Sequence, residues 1–221
     1  MPTIVITGAS RGIGKGLAEA YAADGWSVIA TARSDEDLAQ LDGIDNVEAM
    51  KLDVADDASR DAFVAALGDR PIDVLLNNAG ILDHDAANVA GWQKSFLVNT
   101  IAPYLLSQAL ADNVAASDRK VVAVMSSKVG SIDDNSGGGI VMYRSSKTAT
   151  NMAFRCLEIE HRDRGISTVI LHPGWVQTDM GGENALISVD TSVAGLRARI
   201  AETNSGNSGR FVAYDGEAIA W

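Results

Sequence analysis

The chain has little with which to cross-link itself, span a membrane or grip a polyanion. It contains one cysteine, Cys156, so no disulfide can form within it. That thiol falls mid-helix in Ala153-Phe-Arg-Cys156-Leu, where a small buried hydrophobe is the expected reading. There are only four prolines among 221 residues, and no Pro- or Ser-rich stretch, repeat or low-complexity tract divides the chain. No apolar run approaches the roughly 18 residues of a membrane span. Cations are scarce: 18 Lys+Arg stand against 29 Asp+Glu, for a formal charge of -11. Such a surface repels nucleic acid and anionic lipid, so neither is an expected partner. An anionic ligand would need a local basic pocket, which makes individual arginines informative. The three histidines, His84, His161 and His172, show no metal-ligand spacing, and no metal is expected. His172 is expected to pack at a strand end, and His84 sits in an acidic loop within possible reach of a substrate. A strand reading begins at Thr3 and leaves no room for a cleavable leader, so a cytoplasmic location is expected.

What the chain does have is alternation. Short runs rich in Val, Ile and Leu occupy 3–6, 27–31, 47–52, 73–76, 121–125, 167–171 and 210–214. The first six are apolar at nearly every position, the pattern of parallel strands covered on both faces, and the seventh reads as an edge. Helical spacing of apolar residues fills 13–23, 55–67, 89–114 and 143–164, and Asp35-Glu-Asp37 reads as a helix start. The alternation predicts one α/β domain over 1–221, a doubly wound parallel sheet of about seven strands with helices on both faces. Two stretches break the pattern, 131–139 and 174–188, the latter reaching to about 190. Both would lie at the C-terminal edge of the sheet as walls of a substrate pocket.

Two motifs carry chemistry. Thr7-Gly-Ala-Ser-Arg-Gly12-Ile-Gly14 lies between a strand and a helix, where glycines let backbone amides and a helix N-terminus approach a pyrophosphate. Gly8, Ser10, Arg11, Gly12, Ile13 and Gly14 are the cofactor contacts expected from it. Downstream, Tyr143 and Lys147 lie one turn apart on a helix face. An ammonium held near a phenol favours the phenolate and lowers a pKa of about 10, giving a tyrosine that exchanges a proton near neutrality. Together the motifs point to carbonyl/alcohol redox chemistry on a nicotinamide cofactor.

In order along the chain, Thr7-Gly-x3-Gly-x-Gly14, Asn77-Asn-Ala-Gly80, Asn99, Ser126-Ser127, Tyr143-x3-Lys147 and Pro173-Gly-Trp-Val-Gln-Thr178 resemble the short-chain dehydrogenase/reductase family over its full length. The Pro173 run through Gly182 and the Tyr214-Asp-Gly ending with Trp221 look most like its carbonyl reductase and C-factor-like branch. The resemblance implies a Rossmann-type fold and a catalytic set of Asn99, Ser127, Tyr143 and Lys147. Ser127 would hold a substrate carbonyl oxygen, and Tyr143 would act as acid in reduction and base in oxidation. Lys147 would lower the Tyr143 pKa and bond the nicotinamide ribose; Asn99 would hold a helix kink and a relay water. Asn78, Ala79 and Gly80 would approach the cofactor, Pro173, Gly174 and Val176 its carboxamide, and Thr178 its phosphates. Asp53 and Val54 match the position near the adenine, although Asp53 could equally cap the helix after it.

NAD-preferring sheets carry a carboxylate at the end of the second strand. Here that end reads Ala32-Arg33-Ser34, with no carboxylate before Asp35. Arg33 and Arg11 could instead make charge-assisted bonds to a 2′-phosphate, so NADP(H) is preferred and NAD(H) remains possible. Ser127 and Tyr143 lie further apart than in many family members, with the excess in the glycines at 137–139, which alters the pocket rim. Trp175, Met180, Ile81 and Leu82 are candidates for that pocket or for simple packing. The expected activity is reversible reduction of a ketone or aldehyde, weakly favouring an apolar one. The alternative is a C-factor-like signalling protein whose redox activity is incidental. By family analogy the chain forms a homodimer or homotetramer, and Trp221 could pack on a neighbouring subunit.

Overall fold

Runs of β-branched and aliphatic residues too short to make helices form seven strands. They are β1 (Thr3–Ile6), β2 (Ser27–Ala32), β3 (Val47–Lys51), β4 (Val74–Asn77), β5 (Val121–Met125), β6 (Ser167–His172) and β7 (Arg210–Ala213). The computed structural model describes residues 1–83 and 88–221, and the sequence expectation for His84 lies outside the described residues. All pairings are parallel, in the order β3-β2-β1-β4-β5-β6-β7. The direction of winding reverses between β1 and β4, the place at the C-terminal edge where open α/β sheets bind their ligands.

The helices are α1 (Gly12–Ala23), α2 (Asp35–Leu41), α3 (Asp57–Leu67), α4 (Val89–Phe96), α5 (Ala102–Ala109), α6 (Ala111–Ala115), α7 (Val141–His161) and α8 (Val189–Ala201). Alternation along β1 shows how they cover the sheet. Ile4 and Ile6 pack on one face with Leu17 of α1, Leu41 of α2 and Leu196 of α8. Val5 faces the other way, toward Phe63 of α3, Leu106 of α5 and Phe154 of α7. Each such side chain, fully buried, contributes about 1.5–3 kcal/mol. No helix among the described residues is long and apolar enough to cross a membrane.

Four details differ from the sequence expectations. The helix expected over 89–114 is interrupted by a π segment, Leu97–Ile101, and again at Leu110. Helix α8 follows the second loop unanticipated; Ser188 caps it, and Val193, Leu196 and Ile200 bury at helical spacing. β3 lies at the sheet edge and is only partly covered. Cys156 is exposed rather than buried, because α7 turns Phe154, Leu157 and Glu158 inward and leaves Met152, Arg155, Cys156 and Ile159 outward. Helix α2 starts where expected, with Ser34 accepting from the Asp37 amide.

Candidate active site

The glycine turn is shaped by close packing. Gly8 has φ 67°. A Cβ on Gly14 would lie 2.3 Å from the Gly8 carbonyl oxygen and 2.5 Å from Asn78 Nδ2, so only glycine fits. The turn is fastened to its neighbours on both sides. The Ala9 amide donates to Thr31 O at 2.8 Å, and Asn78 Nδ2 donates to Thr7 O and Gly8 O at 3.0 Å each. The Thr7 hydroxyl accepts from the amides of Asn78 and Ala79, both at 3.0 Å. Thr7 is therefore the hinge pin of the turn, a role not assigned to it from the sequence. Arg11 stands at the N-cap of α1 and provides no side-chain cap, leaving the first-turn amides of Gly12, Ile13 and Gly14, just after Ser10, to meet an anion.

At the end of β2, Ala32 is buried and Arg33 is exposed, with no ion pair to Arg33 among the described residues. Two carboxylates that follow it in sequence are occupied: Asp35 binds Lys51 at 2.8 Å, and Asp37 accepts from the Ser34 hydroxyl. The surroundings fit a 2′-phosphate. Asp53 accepts from the Ala55 amide at 2.9 Å in a local turn; the cap of α3 is Asp56, not Asp53. Val54 is held from behind, its carbonyl accepting from the buried Arg60 at 2.6 Å.

The catalytic end is built where β5 meets α7. Ser127 follows β5 and caps a short turn, Lys128–Gly130. Three α7 side chains hold that turn: Arg144 donates to Val129 O at 3.1 Å, Thr148 to Gly130 O at 2.8 Å, and Asn151 Nδ2 to Gly130 O at 3.4 Å. A Cβ on Gly130 would lie 2.8 Å from Lys147 Cβ, so the turn lies directly on the helix. Ser126, the neighbour of Ser127, points away and donates to Asn151 Oδ1. Lys147 is 3% exposed, and its Nζ donates to Met125 O at 2.8 Å and lies 5.6 Å from the Tyr143 ring centre. The approach to α7 is strained: Gly138, Gly139 and Ile140 have φ of 61°, 68° and 35°. For a β-branched residue such as Ile140 that backbone costs on the order of 1–3 kcal/mol.

Asn99 sits in the π segment, where the Ala102 amide reaches Leu97 O, five residues back. Pro103 explains the break. It lacks the N–H that would bond Asn99 O in an α-helix, and that carbonyl instead accepts from the Thr150 hydroxyl at 2.8 Å. The Asn99 side chain clamps the loop after β4, accepting from the Ile81 amide at 2.9 Å and donating to Ile81 O at 3.0 Å. Its Nδ2 also donates to the Ser146 hydroxyl at 3.0 Å, which itself donates to Tyr143 O at 2.8 Å. Gly80 lies between Asn99 and Lys147, with room for a Cβ only 3.3 Å from Asn99 Oδ1.

The electrostatics differ from the sequence expectation. Burial pushes the Tyr143 phenol up to about 12, and the hydrogen bond with Ser127 only partly pulls it back. Tyr143 as a whole is half-buried, and desolvation of its phenol is the larger of the two effects. Burial lowers Lys147 to about 8. Desolvation therefore outweighs the expected pull of the ammonium on the phenol. His172, at the end of β6, is pushed down to about 4 mainly by burial and then by Lys128.

The remaining expected contacts lie past β6. Pro173 O accepts from Ser192 at 2.6 Å, and Gly174 has φ 87° with Ile187 and Tyr214 crowding it. Val176 is buried and bridges Ile187, and its carbonyl accepts from the Thr178 hydroxyl at 3.3 Å. Trp175 is exposed at the rim, its Nε1 donating to Gly181 O at 2.7 Å. Trp221 stacks on Phe211 of its own chain, and Trp221 O accepts from Ile132, Asp133 and Ser131 of the rim loop. Ile81 and Leu82 are partly buried beside the Asn99 clamp. Among the described residues no His, Cys, Asp and Glu cluster could hold a metal ion.

Comparison with known proteins agrees with this geometry. Residues 2–186 match the family model described as short chain dehydrogenase. The chain is 38% identical to the C-signal of Myxococcus xanthus, an alignment covering 72% of this chain and 99% of that protein. The NADPH-bound carbonyl reductase from chicken fatty liver superposes with a TM-score of 0.93 at 33% identity, covering 100% of this chain and 99% of that one. The carbonyl reductase Sniffer of D. melanogaster superposes at 0.90 and 32% identity, with both chains fully covered.

Proposed function

The chain belongs to the short-chain dehydrogenase family, and from that premise we propose that it is an NADP(H)-dependent oxidoreductase reducing a ketone or aldehyde reversibly to an alcohol. The observation carrying this reading is the convergence of Ser127, Tyr143 and Lys147 at the sheet edge beside the glycine turn. The nicotinamide supplies the hydride. The turn from Gly8 to Gly14 holds the pyrophosphate, Arg33 and Arg11 the 2′-phosphate, and Asp53 with Val54 the adenine side. NAD(H) fits the same cradle without the phosphate contacts. Asn78, Ala79, Gly80, Pro173, Gly174, Val176 and Thr178 border the rest of the cofactor.

Ser127 donates a hydrogen bond to the substrate oxygen and orients it. Tyr143, protonated throughout the neutral range because burial raises it, gives that oxygen its proton in reduction. Lys147 brings an ammonium to the site, and Asn99 fixes the backbone against which Tyr143 and Lys147 are set. Ile132, Trp175, Met180 and Leu186 stand exposed on the two rim loops, which favours an apolar carbonyl substrate. We propose a cytoplasmic homodimer or homotetramer, and Ile101, Leu105, Met152 and Ile159 are among the exposed apolar side chains that self-association would cover.

The test is nicotinamide absorbance with NADPH and NADH against a panel of aldehydes, ketones and diketones, with Tyr143→Phe as control. Turnover lost in the variant supports the reading. Cofactor binding with no turnover on any carbonyl would shift the weight to a second reading, favoured by the similarity to the C-signal: a cofactor-binding signalling protein with incidental redox activity.

A further inference from the structure

The two arginines assigned to the 2′-phosphate are not equally available. Arg33 has no ion pair among the described residues, but Arg11 Nη1 is 3.0 Å from Asp179 Oδ2. The contact crosses the cleft, from the turn after β1 to the loop after β6. Both side chains remain about three-quarters exposed, 75% and 78%, so nothing but the charges holds them together. The two segments lie close together, the Thr178 methyl being 3.2 Å from where a Gly12 Cβ would be, and the neighbouring Asp179 reaches Arg11 from there. The Ala9 bond to Thr31 O fastens the same turn to the end of β2, joining the chain two residues before Arg11 to the chain two residues before Arg33.

We infer that Asp179 is a built-in competitor of the 2′-phosphate, occupying Arg11 until a phosphate displaces it. This rests on the NADP(H) reading given above. The exchange is favourable by charge. A phosphate monoester carries roughly −1.5 to −2 charges and three acceptor oxygens against one carboxylate charge. It is also cheap, since an exposed ion pair is worth at most about 1 kcal/mol, a factor of about five. Asp179 thereby reduces the preference for NADP(H) over NAD(H) without touching either cofactor, and is a specificity-determining residue.

The experiment is calorimetric titration of the full chain with 2′,5′-ADP and with 5′-AMP, which differ in that phosphate. Asp179→Asn is expected to tighten 2′,5′-ADP about fivefold, leave 5′-AMP unchanged, and have no effect when Arg11→Ala is also present. Asp179→Glu, which keeps the charge, is expected to hold the wild-type ratio of the two affinities. Unchanged or weaker 2′,5′-ADP binding to Asp179→Asn, or an equal gain for 5′-AMP, overturns the inference while the NADP(H) reading stands. If wild-type chain binds 2′,5′-ADP no better than 5′-AMP, the NADP(H) reading fails and this one falls with it.

Discussion

At the catalytic end of the cleft Asn99, Ser146, Lys147 and Thr150 are at most 3% exposed, with Asn99, Ser146 and Thr150 joined by hydrogen bonds and Lys147 bonded to Met125 O, whereas at the phosphate end Arg11 and Arg33 stand in water. The contrast fits what each end has to do. A proton-transfer group needs a fixed position and a dry surrounding, and burial supplies both at the cost of shifting its pKa. A group that captures a charged ligand must be reachable and quickly exchanged. Substitutions at the first end should therefore cost large factors insensitive to salt, and those at the second should cost small ones that salt erases.

The largest effect is expected at Tyr143. Tyr143→Phe removes only the hydroxyl and leaves the ring packing, so cofactor binding should survive and kcat should fall about 10²–10⁴-fold. Stopped-flow or steady-state absorbance measures this, and a loss under tenfold would contradict a proton-donating role. Asn99→Ala comes next, and acts on stability. It strands the Ile81 amide and carbonyl and one partner of Ser146. A loss of about 2–3 kcal/mol is expected in chemical denaturation, reduced from a fully buried cost because Ile81 keeps some access to water.

A pH profile sharpens the same end. Burial raises Tyr143 to about 12 and lowers Lys147 to about 8, so between these values the phenol keeps its proton while the lysine has lost its own. If the ammonium is needed, kcat/KM for the cofactor in reduction should be flat at low pH. It should decline as pH rises through about 8, up to roughly tenfold per unit, since this parameter reports groups of the free enzyme. A profile level through pH 10 would remove Lys147 as the controlling group.

Much of this was legible from residues alone, and what was not has identifiable causes. Glycine spacing and strand periodicity placed the sheet, the turn and α7, because each reflects a local backbone requirement. The resemblance implies a kink at Asn99 but not its π geometry, although Pro103, four residues after Asn99, carries the signal: a missing N–H must free that carbonyl. Spacing suggested that Lys147 lowers the Tyr143 pKa, yet burial reverses the sign, and burial is a property of the whole fold. A mid-helix cysteine reads as a buried hydrophobe, but the outward face of Cys156 depends on which stripe of α7 meets the sheet. The Arg11–Asp179 contact joins residues 168 positions apart, and no periodicity records such a pair.

The smallest of these effects should appear at Arg33, where the contrast between the two ends is most directly broken. Arg33 faces solvent, so Arg33→Ala should leave folding intact and weaken NADPH about tenfold, with NADH changed less than twofold. Repeating the titrations from low salt to about 1 M, where the screening length falls to about 3 Å, should shrink the wild-type advantage for NADPH. The residual turnover of Tyr143→Phe relative to wild type should not move over the same range, because its causes are buried. Equal losses for both cofactors in Arg33→Ala would assign that arginine to the shared part of the dinucleotide. A salt-independent NADPH preference would place the phosphate deeper in the protein than the exposed Arg11 and Arg33.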